Sequence, residues 1–313
     1  MKQQIHFCQS FDGVRIAYAT SGSGTPLVRA ANWLTHLELE WKSPIWSHWF
    51  EQLSRSYRLV RYDIRGSGLS ARRVGEMSLD AWVRDLEAVV DTLKLDRFDL
   101  LGLCQGGAIA VAYAAQHPDR VNRLVVYDSY LHGAFADGVS ARRKREAEAL
   151  SEMISIGWGR HNSAFRQVFA ELLMPEASKD EQRWISELQR QTVSPETAVR
   201  LWRAFHQIDI RNLAQRVKIP TLVFHVMGDA MVPFAEGQRL ASLIPAARFV
   251  PLDGKNHILR EDEPAWSHFM TELHSFLGTS EAVAKEQAVQ TAFADLTTRE
   301  REILGLIAQG LSN

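Results

Sequence analysis

The stretch Asp99–Ala115, DLLGLCQGGAIAVAYAA, restricts the fold more than any other part of the chain. A short apolar strand, Phe98–Leu101, runs into Gly102-Leu103-Cys104-Gln105-Gly106-Gly107 and leaves as an alanine-rich helix, Gly106–Gln116. A strand that turns this tightly into a helix is strained, and it lifts one side chain above the end of the strand. The glycines answer a steric need, because residues beside the lifted side chain pass close to the neighbouring strand and helix and Gly102 and Gly106 bring no Cβ. Cys104 therefore stands at the tip of a nucleophile elbow and at a helix N-terminus, where unpaired amides and the macrodipole favour a thiolate. Cys8 has no such surroundings and reads as a small buried residue.

The rest of the chain supplies the sheet that an elbow needs. Ile5–Cys8 and Val14–Thr20 flank the turn Phe11-Asp12-Gly13 as an antiparallel hairpin. Pro26–Ala31, Tyr57–Tyr62, Phe98–Leu101 and Leu124–Tyr127 read as short buried strands, with helical patterns between them such as Leu79–Leu93, capped by Ser78. This alternation predicts an α/β fold, a mostly parallel sheet with helices on both faces. From Ser129 to about Leu213 the strand signal vanishes and the segment reads as helices rich in Trp, Phe and charge, an insertion. Strands resume at Thr221–His225 and Ala247–Pro251, and the helix Pro264–Leu277 follows.

Net charge removes some functions. Lys plus Arg number 36 against 37 for Asp plus Glu, so no global field draws the chain to nucleic acid or an anionic membrane. The basic run Ala141–Arg145 is followed by Glu146 and Glu148 and reads as a solvated helix face. Apolar runs such as Ala108–Ala115 fall well short of the about 20 residues that span a bilayer. The expectation is a cytoplasmic chain with no membrane partner, in which Cys8 and Cys104 need no disulfide.

A nucleophile needs a base and a group that orients the base. The strand Thr221–Met227 ends in Gly228-Asp229, and Asp253-Gly254-Lys255-Asn256-His257 follows the next strand. Cys104 is the expected nucleophile, His257 the base and later the acid, and Asp229 the carboxylate that sets the imidazole tautomer. Asp253, four residues before His257, is a weaker alternative that shapes the loop instead. No metal cluster, phosphate-cradling loop or dinucleotide fingerprint is present in the sequence, and the expectation is no metal and no cofactor.

Three motifs, the elbow Gly102–Gly107, the run Asp63-Ile64-Arg65-Gly66-Ser67-Gly68-Leu69-Ser70, and the pairs Gly228-Asp229 and Asn256-His257, resemble the α/β-hydrolase superfamily. The resemblance implies a hydrolase core over 1–128 and 214–278 and a helical cap over 129–213. Two departures stand out. Cysteine replaces the usual serine at the elbow and resembles the dienelactone-hydrolase branch, and Ala30-Ala31-Asn32-Trp33-Leu34 replaces the usual His-Gly pair. By position the backbone amides of Trp33 and Gln105 form the oxyanion hole. Glu38 and Glu40, close behind, read as solvated charges. Among the cap's aromatic residues, Phe135, Trp158 and Phe165 are expected with Trp33 to bind a hydrophobic small-molecule ligand or substrate.

The tail complicates the picture. Leu296–Asn313, LTTREREILGLIAQGLSN, is an amphipathic helix capped by Thr297 and Glu300, and it resembles the first helix of the LuxR-type helix-turn-helix domain. The segment 279–295 reads as a linker helix, and 296–313 as the start of a truncated DNA-binding domain without its reading helix. Contact with DNA is expected only through the missing remainder. The resemblance also implies a homodimer. Two functions follow. The body is the sensory, ligand-binding domain of a LuxR-type transcriptional regulator, whose triad hydrolyses or binds a hydrophobic small ester, lactone or thioester. Alternatively it is an active cysteine-dependent hydrolase of a carboxylic ester, lactone or thioester.

Overall fold

A computed structural model describes residues 2–160 and 164–278. The segments 279–295 and 296–313, expected as linker and partial DNA-binding domain, lie outside the described residues. Eight strands, β1 (Gln4–Gln9), β2 (Arg15–Ser21), β3 (Pro26–Ala30), β4 (Arg58–Tyr62), β5 (Phe98–Leu103), β6 (Val121–Tyr127), β7 (Thr221–Val226) and β8 (Ala247–Leu252), form a sheet in the order β1-β2-β4-β3-β5-β6-β7-β8. The hairpin β1–β2 and the pair β2–β4 are antiparallel, and the remaining neighbours are parallel. Before the insertion come helices α1 (Leu37–Trp41), α2 (Ser47–Ser56), α3 (Leu79–Thr92) and α4 (Gln105–Gln116). Between β6 and β7 run α5 (Ala141–Gly157), α6 (Ala164–Leu173), α7 (Lys179–Thr192), α8 (Pro195–Gln207) and α9 (Arg211–Ala214). Helices α10 (Phe234–Leu243) and α11 (Pro264–Leu277) follow β7 and β8. Among the described residues no helix is long and apolar enough to cross a membrane.

The two-residue period of the strands divides the core. Val28, Val60, Leu100, Val126 and Val223 face a layer holding Trp82, Leu86 and the apolar residues of α4. Their neighbours Leu27, Leu59, Leu101, Val125 and Leu222 face Trp49 and Phe50 of α2 and Trp266, Phe269 and Leu273 of α11. Strands β5 and β7 are buried at every position, as parallel strands covered on both faces must be. Helix α4 is buried along Gln105–Ala115, which explains a helix that is apolar on all sides. Ser78 accepts the Ala81 amide at 3.1 Å and starts α3 as expected.

The strand-to-helix turn is as tight as the glycines require. A Cβ at Gly102 lies 2.5 Å from the Gly106 oxygen and 2.6 Å from the Gly107 Cα, and one at Gly106 lies 2.8 Å from the Ala30 oxygen. Cys104 between them takes φ 50° and ψ −121°, a conformation that costs a side-chain-bearing residue on the order of 1–3 kcal/mol.

Two arginines sit in the middle of adjacent strands, Arg29 of β3 opposite Arg61 of β4. Both are buried, and the carboxylate between them is Glu40, 3.3 Å from Arg29 and 3.5 Å from Arg61. Phe50 lies 3.6 Å from the Arg61 guanidinium and Trp46 lies 4.7 Å from that of Arg29. Glu40 is therefore not a solvated charge, whereas Glu38 is exposed as expected. The reason is register: one residue on each of two neighbouring strands points at the same helix, and two buried cations demand an anion. Burial pulls the Arg61 guanidinium down to about 10.

Gly102→Ala is expected to lower stability by about 1–3 kcal/mol or more, since backbone of Gly106 and Gly107 and the Cβ of Ala110, none of them able to swing aside, lie in the way of the methyl group. Gly75→Ala, with open space around it, is expected to change it by less than about 1 kcal/mol. Urea unfolding midpoints at constant slope compare the two. Glu40→Gln leaves two buried guanidinium groups short of their counter-charge and is expected to cost about 3–5 kcal/mol in the same assay.

Candidate active site

The carboxyl ends of four adjacent parallel strands deliver the polar groups of one site. Strand β5 ends at Cys104, β6 at Asp128, β7 at the turn that holds Asp229, and β8 leads into the loop of His257. His257 Nδ1 donates to Asp229 Oδ2 at 2.7 Å, which leaves Nε2 free of that bond, and His257 lines the same cavity as Cys104. Asp229 Oδ1 accepts the amides of Met231 at 2.7 Å and Val232 at 3.1 Å, which locks the carboxylate. The exposed Asp253 has no part in this arrangement, so the choice between the two acids falls to Asp229.

Four further contacts hold the His257 loop. Its own amide donates to the Leu173 oxygen at 2.8 Å, and its carbonyl accepts from the Tyr127 hydroxyl at 3.0 Å. Asn256 accepts the Glu176 amide at 3.0 Å and donates to Glu263 at 2.7 Å. The Asn-His pair thus ties this loop to the end of α6 and to the start of α11.

Sequence reasoning passed over a second carboxyl. Asp128 is fully buried, with an oxygen 3.6 Å from His257 Nδ1, and its other oxygen accepts the Val226 amide at 2.7 Å. Its backbone has φ 44°, so the chain is strained at this point as it is at Cys104. Burial, and then the nearby charge of Asp229, push Asp128 well above the ordinary carboxylate range. Asp229 has three hydrogen-bond donors, His257 and the amides of Met231 and Val232, whereas Asp128 accepts the Val226 amide. The imidazole of His257 is raised well above its usual value: burial opposes this, but Asp229 and Cys104 outweigh it. His225 lies 3.7 Å from Asp128 and 3.9 Å from Asp229 while its Nε2 donates to the Val232 oxygen at 2.9 Å. Burial lowers it and keeps it neutral. The signal for Asp128 was present in the sequence, since it follows an apolar strand directly, as Cys104 does.

The two amides expected to form the oxyanion hole are not equally placed. Gln105 opens α4, where the first amides have no partner within the helix. The Trp33 amide instead donates to the Gln105 side chain, at 3.3 Å to Oε1. Trp33 itself is held by edge contacts at 5.8 Å to Trp158, 5.9 Å to Trp202 and 6.0 Å to Phe205.

Cys104, His257 and Trp33 line one cavity. The insertion contributes the apolar side chains of Phe169, Leu173, Trp184, Ile185, Leu188 and Trp202, and with them Gln189. Of the aromatic residues expected to bind ligand, Trp33 lines this cavity, and Trp158, Phe135 and Phe165 do not. Trp158 is buried behind Trp33 and Phe169. Phe135 packs on His206 at 5.6 Å near the end of α8, and Phe165 lies half-buried under Arg160. Their orientation depends on how the helices of the insertion pack on one another, which residue order does not convey.

Comparison with known proteins agrees with this geometry. Residues 39–264 match the model of the alpha/beta hydrolase fold family. The chain is 25% identical over 254 residues to the AB hydrolase superfamily protein YisY of Bacillus subtilis, covering 80% of this chain and 92% of that one. It is 26% identical over 294 residues to the 2-hydroxymuconate semialdehyde hydrolase of a Pseudomonas species, covering 87% of this chain and 93% of the relative. Among solved structures, the esterase of Exiguobacterium antarcticum superposes with a TM-score of 0.75 at 24% identity, over 87% of this chain and 99% of the esterase. With an elbow, an acid and a histidine in that order at the carboxyl edge of a mostly parallel sheet, the chain belongs to the alpha/beta hydrolase fold family.

Proposed function

We propose that the protein is a cysteine-dependent hydrolase of small carboxylic esters, lactones or thioesters. One observation carries the reading: His257, held by Asp229 at 2.7 Å, and Cys104 line one cavity. Hydrolase relatives support it. The regulatory reading, in which the body senses a ligand for an attached DNA-binding domain, rests on the wording of 296–313, the cysteine at the elbow and the altered oxyanion loop.

In this mechanism His257 Nε2 takes the Cys104 proton, and the sulfur attacks the substrate carbonyl carbon. A C–S bond forms, and the carbonyl π electrons move to oxygen. That oxyanion is held by the Gln105 amide and, once the Gln105 side chain turns away, by the Trp33 amide. Collapse expels the alkoxide or thiolate, which takes the proton from His257 and leaves a thioester. Water then gives its proton to His257 and attacks the thioester. Release of the acid returns the proton to sulfur. Asp229 holds the imidazolium throughout, and Asp128 stands beside the same nitrogen as a second carboxyl.

Steady-state assays on aryl esters of increasing acyl length, with intact mass in parallel, test the reading. Turnover is expected, and Cys104→Ala is expected to lower it by at least about 10³-fold. Turnover that survives in Cys104→Ala overturns the cysteine mechanism. A folded protein that reacts with none of these esters overturns the hydrolase reading and leaves the sensory one. The two carboxyls make a separate prediction. Asp229→Asn is expected to retain at least about ten-fold more activity than Asp128→Asn/Asp229→Asn, whose loss is expected to approach about 10⁴-fold, as for removal of a sole orienting acid. Equal kcat/KM in the single and double variants removes Asp128 from the mechanism.

A further inference from the structure

Gln189 breaks the pattern of the helix that carries it. On α7 it shares the inward stripe with Ile185 and Leu188, and all three line the cavity beside Cys104. It is only 1% exposed, and among the described residues neither its Nε2 nor its Oε1 has a hydrogen-bond partner. The other polar residues around the cavity are engaged. Asn32 accepts from Arg29 at 2.7 Å, Glu40 is paired with Arg29 and Arg61, Gln105 accepts the Trp33 amide, and Tyr127 donates to the His257 carbonyl. A buried carboxamide with both ends unpaired is destabilising, and a leucine on this stripe of the helix would be the more stable choice.

We propose that Gln189 is the recognition point for an uncharged amide group on the substrate, borne on the apolar portion that fills the cavity while its carbonyl meets Cys104. The inference rests on the hydrolase reading above. A carboxamide presents N–H donors and a carbonyl acceptor in one plane, and an amide or carboxamide is the group that answers both at once. A carboxylate would set acceptor against acceptor on the Oε1 side. A methyl terminus would leave both ends unpaired.

The test uses aryl esters of straight-chain acids in graded lengths, each ending in a carboxamide or in a methyl group. Their binding to Cys104→Ala is measured by calorimetry, so that turnover is not needed. At one chain length the carboxamide ester is expected to bind at least about ten-fold more tightly than its methyl counterpart. In Cys104→Ala carrying Gln189→Leu that preference is expected to vanish or reverse, with urea stability equal or higher. Gln189→Met serves the same purpose should the leucine variant fail to fold. An unchanged binding ratio in the Gln189 variant, or a methyl preference at every length, overturns the proposal. Failure of the hydrolase reading looks different, because the parent then turns over neither series while the carboxamide preference in binding persists.

Discussion

The close contact of β5 with α4 is the constraint on which the site depends. Gly102 lets the backbones of β5 and α4 meet at a distance no Cβ permits, Gly106 and Gly107 let the start of α4 lie against the Ala30 carbonyl and the Ser129 side chain, and the chain can then reverse within the few residues around Cys104. The strained φ of Cys104 is tolerated because α4 is buried along almost its whole length, so the contacts of an entire helix oppose relaxation of one residue. The geometry has a chemical consequence. The same turn that places Cys104 on the cavity places the Gln105 amide, the first of α4, beside it, so the proposed nucleophile and the proposed oxyanion donor are positioned by one piece of backbone.

Charge is arranged around that turn in an uneven way. On one side of the cavity Arg29, Arg61 and Glu40 form a cluster whose guanidinium groups rest on aromatic rings. On the other, Asp128, Asp229, His225 and His257 lie together without a cation of permanent charge among them. Two carboxyls this close and this buried do not both ionise, and hydrogen bonding decides between them. Asp229 receives two backbone amides in addition to His257. An imidazolium formed at His257 during catalysis meets an anion already in place, which reduces the reorganisation that accompanies proton transfer.

Much of this was legible in the sequence where the signal is local. The elbow could be read because glycine spacing reports a steric need within six residues, and Asp229 and His257 because each follows an apolar strand through a glycine turn. The hairpin, the Ser78 cap and the helix Pro264–Leu277 are likewise encoded by neighbours. What escaped depends on contacts between distant segments. Glu40 reads as a surface charge until Arg29 and Arg61 are seen side by side on paired strands, and the two arginines within apolar strands were the unused clue. Gln189 reads as one polar residue among many on α7 until the stripe it occupies is known to face the cavity. For Trp158, Phe135 and Phe165 the aromatic content was a correct guide to a packed insertion and a poor guide to which rings meet a ligand. A helix offers several apolar positions, and only the tertiary arrangement selects the exposed ones.

The departures at the elbow and the oxyanion loop fit together chemically. A thiol needs less help than a hydroxyl to become a nucleophile, so acylation of Cys104 can proceed in a site whose second oxyanion donor is at first engaged. The Trp33 amide donates to Gln105 at 3.3 Å, a long bond that a developing oxyanion, carrying full charge, outcompetes. A neutral carbonyl gains much less from that exchange. In the proposed mechanism the Gln105 side chain would withhold one donor from the ground state and yield it as charge develops, which would make the interaction stronger in the transition state than in the bound substrate. The aromatic contacts of Trp33 with Trp158, Trp202 and Phe205 fix the amide while the flexible partner moves. Because those rings belong to the insertion, its packing and the state of the oxyanion hole are linked through a single tryptophan.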